Sequence, residues 1–264
     1  MLKTEERRIR ILEIIREKQE VSIKELLSLL QGVPYASIVR DLRILESKGI
    51  ISRGYGSVKL STRSSYISTL EMKLGVHQEE KKRIAKATVE LIKSKKEEKV
   101  IFFDTGSTAL YIARELARRY EPINGERIMV ITNSLPVIRE LGACPYLRIV
   151  GIGGIYQFHE ECFVGSIAEE EAQLYKASIA IIGADGITAE GGVTSHDPEN
   201  AGVTRIIAEH SEEVIIVADY TKVGKRGVVP ITSPEYIDIL VTNREANPEE
   251  VKALESKGIK VILS

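Results

Sequence analysis

The run Pro34-Tyr35-Ala36-Ser37-Ile38-Val39-Arg40-Asp41-Leu42-Arg43-Ile44-Leu45-Glu46-Ser47-Lys48-Gly49 decides how the beginning of the chain folds. Proline is harmless at a first-turn helical position, where the N–H it lacks would have no partner. Ile38, Leu42 and Leu45 then recur at i, i+4 and i+7, on one face of a helix. Gly49 after Lys48 is a C-cap signal. Ser37, Arg40 and Arg43 fall on the opposite face, with Tyr35 at the helix start. An arginine so placed can pair with guanine through two hydrogen bonds or bind a phosphate.

The flanks complete a pattern. Between Glu5 and Glu17, residues Ile9, Ile11, Leu12, Ile14 and Ile15 keep helical spacing. Ser22-Ile23-Lys24-Glu25 reads as a capping box, in which the serine hydroxyl accepts an early N–H and Glu25 reaches back to the cap. Leu26, Leu27, Leu29 and Leu30 supply that second helix with a buried face, and Gly32 ends it. After Gly49, Ile50–Arg53, then Gly54-Tyr55-Gly56-Ser57, then Val58–Leu60 read as strand, turn and strand. Short helices followed by a hairpin form the plan of a winged helix-turn-helix. On that plan Tyr35, Ser37, Arg40 and Arg43 face the major groove of DNA. Arg53, Tyr55, Ser57 and Lys59 lie on a wing that meets phosphate or the minor groove. A plain three-helix domain with ordinary solvated charges is the competing reading.

Charge supports a division of labour, weakly. Residues 1–60 carry 12 Lys+Arg against 8 Asp+Glu, a net of +4, while the rest carries 25 against 30, a net of −5. A basic head on an acidic body is expected if only the head meets phosphate. The 264 residues suffice for two domains, and 43% hydrophobic composition can build a sizeable core. The charged opening MLKTEERRIR has no apolar signal region, and no run is long enough to span a membrane. Cys144 and Cys162 form no CxxC pair. His77, His159, His196 and His210 are scattered without HxxxH spacing. A cytoplasmic chain without metal, cofactor or disulfide framework is expected.

Residues 61–78 are polar and weakly periodic and read as a linker. From 79 to 264 helical patterns alternate with short β-branched runs. Strands are expected at 100–103, 128–131, 147–150, 178–182, 214–218, 237–241 and 260–263, and helices at 80–93, 108–119 and 135–141. Such alternation argues for an α/β domain with a mostly parallel sheet. Leu-Glu-Ser-Lys-Gly-Ile occurs at 45–50 and again at 254–259, as two glycine-capped helix ends and not as a domain repeat.

Polar turns follow the strands. Asp104-Thr105-Gly106-Ser107-Thr108 leads straight into a helix, whose free N–H groups, glycine and hydroxyls suit a phosphate. Thr132-Asn133-Ser134, Gly151-Ile152-Gly153-Gly154, Gly183-Ala184-Asp185-Gly186 and Asp219-Tyr220-Thr221-Lys222 end later strands. In open α/β sheets ligands bind outside these carboxyl ends. Lys222 is the candidate phosphate partner, and Asp104 and Asp185 the candidates for sugar hydroxyls. Each acid taken alone is better explained as a turn residue, and it is their shared placement after strands that supports the ligand reading.

Both halves resemble the DeoR family of transcriptional repressors. The head does so through Glu6-Arg7-Arg8, Val21-Ser22-Ile23-Lys24-Glu25-Leu26 and Ile38-Val39-Arg40-Asp41-Leu42 with Leu45-Glu46 and Gly49. It departs from the family pattern at Ser37, Val39 and Gly54–Ser57. The body does so through Phe103–Thr108, Thr132-Asn133-Ser134, Gly153-Gly154, Phe163-Val164-Gly165, Gly183–Ile187 and Ala218–Gly224. The resemblance implies a sensor domain similar in fold to ribose-5-phosphate isomerase and CoA-transferases, and in many members a response to sugar phosphates. The family's E-A-x-x-K run aligns with Asn200 and Thr204, with Arg205 adjacent as a possible substitute for the lysine.

The implied function is a DNA-binding regulator, a repressor by family habit, acting as a homo-oligomer under a phosphorylated effector. An isomerase-like enzyme is the main rival, since the sheet ends could hold a carboxylate base. The isomerases' acidic cluster and glycine loop are missing, and a CoA-transferase nucleophile would rest on Glu190-Gly191-Gly192 alone. A DNA-binding protein whose α/β domain only oligomerises is the third reading.

Overall fold

The computed structural model describes residues 4–30, 32–47, 50–54, 56–61, 69–95, 99–119 and 128–264. The chain divides into two compact units, Met1–Val76 and His77–Ser264.

The first unit runs α1 (Thr4–Lys18), β1 (Glu20–Ser22), α2 (Ile23–Leu29), α3 (Tyr35–Ser47), β2 (Ile51–Arg53), β3 (Ser57–Leu60) and α4 (Thr69–Leu74). The three strands pair antiparallel in the order β1-β3-β2. Ile11 and Ile15 from α1, Leu26 from α2, and Ile38, Leu42 and Leu45 from α3 meet Val58 of β3 in one core. This is a winged helix-turn-helix.

Several details differ from the sequence reading. Pro34 precedes α3, and its carbonyl accepts from Ser37 N–H (2.9 Å) and Ile38 N–H (3.3 Å). Ser22 does cap α2, accepting from Glu25 N–H at 3.1 Å, but the Glu25 carboxylate pairs with Lys18 (2.9 Å) across the turn. Leu29 is exposed, so the apolar face of α2 is narrower than expected. β1 has only three residues, too short for its alternation to register. Within 61–78, α4 buries Leu70, and Met72 packs against the first unit's core. Residues 62–68 and the C-cap at Gly49 lie outside the described residues. The second copy of the hexapeptide ends as expected, with Gly258 at φ +91°.

The second unit contains α5 (Gln78–Ser94), β4 (Lys99–Phe103), α6 (Ser107–Arg119), β5 (Ile128–Thr132), α7 (Leu135–Leu141), β6 (Leu147–Gly151), β7 (Ile155–Gln157), β8 (Cys162–Val164) and α8 (Ser166–Gln173). It continues with β9 (Ile179–Gly183), β10 (Gly186–Thr188), β11 (Gly192–Ser195), α9 (Pro198–Glu209), β12 (Val214–Val217), β13 (Val229–Thr232), β14 (Ile239–Thr242), α10 (Pro248–Ser256) and β15 (Lys260–Leu263). The described strands form a seven-stranded parallel sheet, β15-β14-β12-β9-β4-β5-β6. A β7–β8 hairpin and an antiparallel β10-β11-β13 sheet are added at its margins.

Phe102 and Phe103 show why β4 reads as a continuous apolar run. Successive strand residues point to opposite faces, and both phenylalanines are fully buried, Phe102 under α8 and α9 and Phe103 under α5 and α6. Helices cover both sides, as parallel sheets require. The strand order reverses between β4 and β9: β5 and β6 extend one way, and β12, β14 and β15 the other. The crevice beyond the carboxyl ends of β4 and β9 is the switch point where ligands of such sheets bind.

Candidate functional site

On the winged helix, Arg40 and Arg43 are exposed on α3, and neither has a protein partner among the described residues. Three residues apart on a helix, they are surface neighbours. Tyr35 is 59% exposed at the start of the same helix, and Ser37 is half-buried. Lys59 is exposed on the central strand β3. Ser57 donates to Glu20 Oε1, and Arg53 lies 3.8 Å from Glu46 on α3. Tyr55 lies outside the described residues.

The sequence reading missed what holds α3. Asp41 is fully buried, accepting from Arg7 Nε at 2.5 Å and Arg8 Nε at 2.9 Å. The arginine pair of α1 thus clamps the recognition helix from behind and does not belong to the exposed surface. A charge at 41 beside three apolar inward positions was the available signal, since a buried carboxylate must be paired.

In the second unit, Asp104 stands at the switch point and is 3% exposed. Its carboxylate accepts from Gly183 N–H (3.3 Å) and Thr204 Oγ1 (3.0 Å). Thr204 Oγ1 also lies 2.9 Å from the Asn200 carbonyl, and one hydroxyl proton can serve only one of the two. Burial pushes Asp104 up to about 7, against the lowering effect of hydrogen bonds from Thr105 N–H, Thr204 and Gly183 N–H, with the nearby Asp185 charge adding a little.

The unfolded chain ionises near the ordinary carboxylate value, whereas the fold holds the proton to about 7. Stability from this group is therefore full below pH ~4, falls as pH rises to ~7, and is level above. Asp104→Asn should flatten this dependence and make the second unit more stable than wild type at pH 8, because its amide can donate to Thr204 while Thr204 donates to Asn200. Calorimetric unfolding from pH 5 to 8 checks this; an equal pH slope in the variant would contradict it.

The neighbouring turn opens α6. Gly106 has φ +106°, and a Cβ there would meet nothing within 4 Å. Ser107 and Thr108 are largely buried, with hydroxyls that make no hydrogen bond among the described residues. Thr105 Oγ1 donates to the Glu160 carbonyl (3.2 Å), and Leu135 N–H to the Glu161 carbonyl (3.0 Å). The turn between β7 and β8 thus roofs the ends of β4 and β5.

Asn133, fully buried after β5, clasps β8: its carbonyl accepts from Phe163 N–H (2.9 Å) and its Nδ2 donates to the Phe163 carbonyl (3.0 Å). Nδ2 also reaches Asn200 Oδ1 at 3.4 Å. Ser134 caps α7, accepting from Val137 N–H.

Other candidates are engaged elsewhere. Gly153 N–H donates to Glu171 Oε2 of α8 at 2.6 Å, so a protein carboxylate already holds that amide. At Gly154, φ +143°, a Cβ would lie 2.8 Å from the Val164 carbonyl and 3.0 Å from Ala168 Cβ; close packing of α8 accounts for this glycine. Asp185 accepts from His196 N–H (2.9 Å) and Ser195 (3.3 Å), tying two turns together. Arg205 is exposed and donates to the Pro230 carbonyl (2.9 Å); it is Thr204 that reaches Asp104. Lys222 sits in the turn after β12, whose backbone is pinned to Ile187 of β10, and its ammonium has no partner among the described residues. No cluster of three or more His, Cys, Asp or Glu side chains suited to a metal occurs among the described residues.

A winged helix joined to a parallel α/β unit with polar turns at its switch point defines a DNA-binding regulator with a sensor domain. A family model described as "DeoR-like helix-turn-helix domain" matches residues 7–64, and one described as "DeoR C terminal sensor domain" matches residues 76–244. The chain belongs to the DeoR family of transcriptional regulators. It is 29% identical over 98% of its length to a putative aga operon transcriptional repressor of Escherichia coli O157:H7, covering 94% of that protein. It is 30% identical over 97% of its length to the HTH-type transcriptional regulator GlpR of Haloferax volcanii, covering 96% of that protein. These relatives are named as regulators and not as enzymes, which removes the isomerase-like reading. Ribose 5-phosphate isomerase A of Methanocaldococcus jannaschii aligns over 55% of this chain and 54% of its own, at 21% identity and TM-score 0.40. No helix among the described residues is long and apolar enough to cross a membrane.

Proposed function

We propose that this chain is a cytoplasmic repressor that binds operator DNA as a homo-oligomer and is switched by a phosphorylated sugar or related metabolite. Residues 1–60 act as the DNA-binding head, 61–78 as the connection, and 79–264 as the sensing and oligomerising body. Tyr35, Ser37, Arg40 and Arg43 meet the major groove, and Arg53, Tyr55, Ser57 and Lys59 the flanking backbone. Two-fold pairing sets half-sites one helical turn apart, about 34–36 Å, or a multiple of that.

The observation that carries the sensing half is the start of α6. Ser107 and Thr108 hydroxyls that make no hydrogen bond among the described residues, and open space over Gly106, lie beside the crevice where the sheet reverses. The N-terminal N–H groups of α6 and Lys222, which has no partner among the described residues, supply positive potential for a phosphate. Asp104, Asn133, Ser134 and Asp185 border the sugar. Thr105, Gly153, Gly154 and Arg205 contribute through the turns and helices they fix.

An effector moves the operator equilibrium only through its differential affinity for two arrangements of the paired heads. Coupling of about 1–3 kcal/mol, roughly 5–150-fold, is typical, and operator DNA must change effector affinity by the same factor. The test is calorimetric titration of the full chain with a panel of sugar phosphates, then of Lys222→Ala with the tightest binder. The variant should need at least ~10-fold more effector, the loss of one charge-assisted contact. Wild-type response in that variant would remove Lys222 from the site. No heat from any sugar phosphate would favour a body that only oligomerises.

A further inference from the structure

The crevice has an end that suits something other than a phosphate. β4 and β5 are paired in register with Phe103 opposite Thr132, so Asp104 and Asn133 follow at matched positions on neighbouring strands. Their backbones are therefore about 4.8 Å apart. Both side chains reach the same face of α9, Asn133 through Asn200 and Asp104 through Thr204, one helical turn further on.

Asn133 is oriented without ambiguity. Its Nδ2 faces two acceptors, the Phe163 carbonyl and Asn200 Oδ1, so the amide cannot be turned over. Its Oδ1 is buried with no hydrogen-bond partner among the described residues. An enclosed acceptor left unserved is costly, and native structures seldom leave one. Asp104 receives only neutral donors, namely Thr105 N–H, Gly183 N–H and the Thr204 hydroxyl, and no cation pairs with it among the described residues. The surroundings are acidic. Asp185 acts on Asp104, while Glu160, Asp104 and Asp197 help burial push the Cys162 thiol up. An anion placed here would be repelled, and a donor carrying positive charge would be held.

We propose that Asp104 and Asn133 Oδ1 together receive a protonated amine of the effector, so that this regulator responds to an aminated sugar phosphate with its amine inward and its phosphate toward α6 and Lys222. This deepens, and rests on, the phosphorylated-effector reading. One ammonium within ~2.8 Å of each acceptor spans the gap between adjacent strands. It supplies the missing donor to Asn133 and the missing countercharge to Asp104 in one group, which a single hydroxyl cannot do.

The experiment is calorimetric titration of the full chain with three probes: a 2-amino-2-deoxyhexose 6-phosphate, its N-acetyl derivative and the parent hexose 6-phosphate. The free amino sugar and magnesium chloride are added as controls. The amine-bearing phosphate should bind at least ~10-fold more tightly than the other two phosphates, the worth of a charge-assisted contact. Asp104→Asn should reduce that preference toward unity, whereas Lys222→Ala should weaken all three phosphates by a common factor and keep it. Equal or tighter binding of the parent hexose phosphate overturns the amine assignment and leaves the phosphorylated-effector reading standing. Tight binding of the free amino sugar, undiminished by lack of phosphate, keeps the amine and overturns the phosphate. No heat from the amine-bearing phosphate overturns the proposal, and Asp104-dependent heat from magnesium alone replaces the amine with a metal ion.

Discussion

Asp41→Ala should destabilise the winged helix by about 3–5 kcal/mol, the usual cost of removing one partner of a buried ion pair. Asp41 has no exposed side-chain surface, and the Arg7 side chain is only 10% exposed, so the substitution removes a buried carboxylate from a largely buried guanidinium. Arg8, at 23%, can turn toward solvent, which pulls the loss toward the lower end of the range. The clamp joins α1 to α3, so operator binding should fall with folding and recover when folding is restored. Replacing the whole triad with apolar residues (Arg7→Met, Arg8→Met and Asp41→Leu) should regain most of the stability, because the desolvation cost disappears with the charges. Urea unfolding of the full chain followed by circular dichroism measures both. A loss below ~1 kcal/mol for Asp41→Ala would show that the clamp does not hold the recognition helix.

The pair Arg40→Ala and Arg43→Ala should have the opposite signature. Each contact with guanine is worth about 1–3 kcal/mol, so the double variant should lose about 2–6 kcal/mol of operator affinity. Both side chains are exposed and have no partner among the described residues, so stability should change by less than ~0.5 kcal/mol. If one of the two meets only phosphate, its removal should weaken all sequences alike and reduce the salt slope by about one. Fluorescence anisotropy against operator and scrambled duplexes at two salt concentrations separates these cases. Unchanged operator affinity in a folded double variant would mean that α3 does not read the groove.

Together the two experiments separate the residues that aim the helix from those that read DNA. In the sequence they are interleaved: Arg40, Asp41 and Arg43 form one charged run, and the neighbouring Arg7 and Arg8 resemble more of the same basic surface. Periodicity assigned Ile38, Leu42 and Leu45 inward correctly, and by the same rule placed Arg40 and Arg43 outward. It left Asp41 unexplained, because the partner that makes burial possible lies 34 residues upstream. A similar limit applied at the sheet. The β-branched runs announced its strands, but β7, β8, β10, β11 and β13 are too short for alternation to mark them, and β13 pairs with β11 across the intervening α9 and β12.

What the sequence determined by itself was the local periodic content: helices and strands, glycine and proline boundaries, the winged helix and the polar turns that end parallel strands. Those features depend on neighbours a few residues away, and their physics is written in spacing. Tertiary structure alone decided which polar residues share a site. Strand order brought the end of β4 beside the end of β9, setting Asp104 against Gly183. Packing of α9 set Thr204 on Asp104 and turned Arg205 to the Pro230 carbonyl. Packing of α8 gave the Gly153 amide to Glu171 and made Gly154 a matter of clearance. Burial turned an ordinary turn aspartate into an acid held near neutrality. Desolvation and hydrogen-bond satisfaction depend on every element that closes over a residue, and no spacing along the chain encodes them.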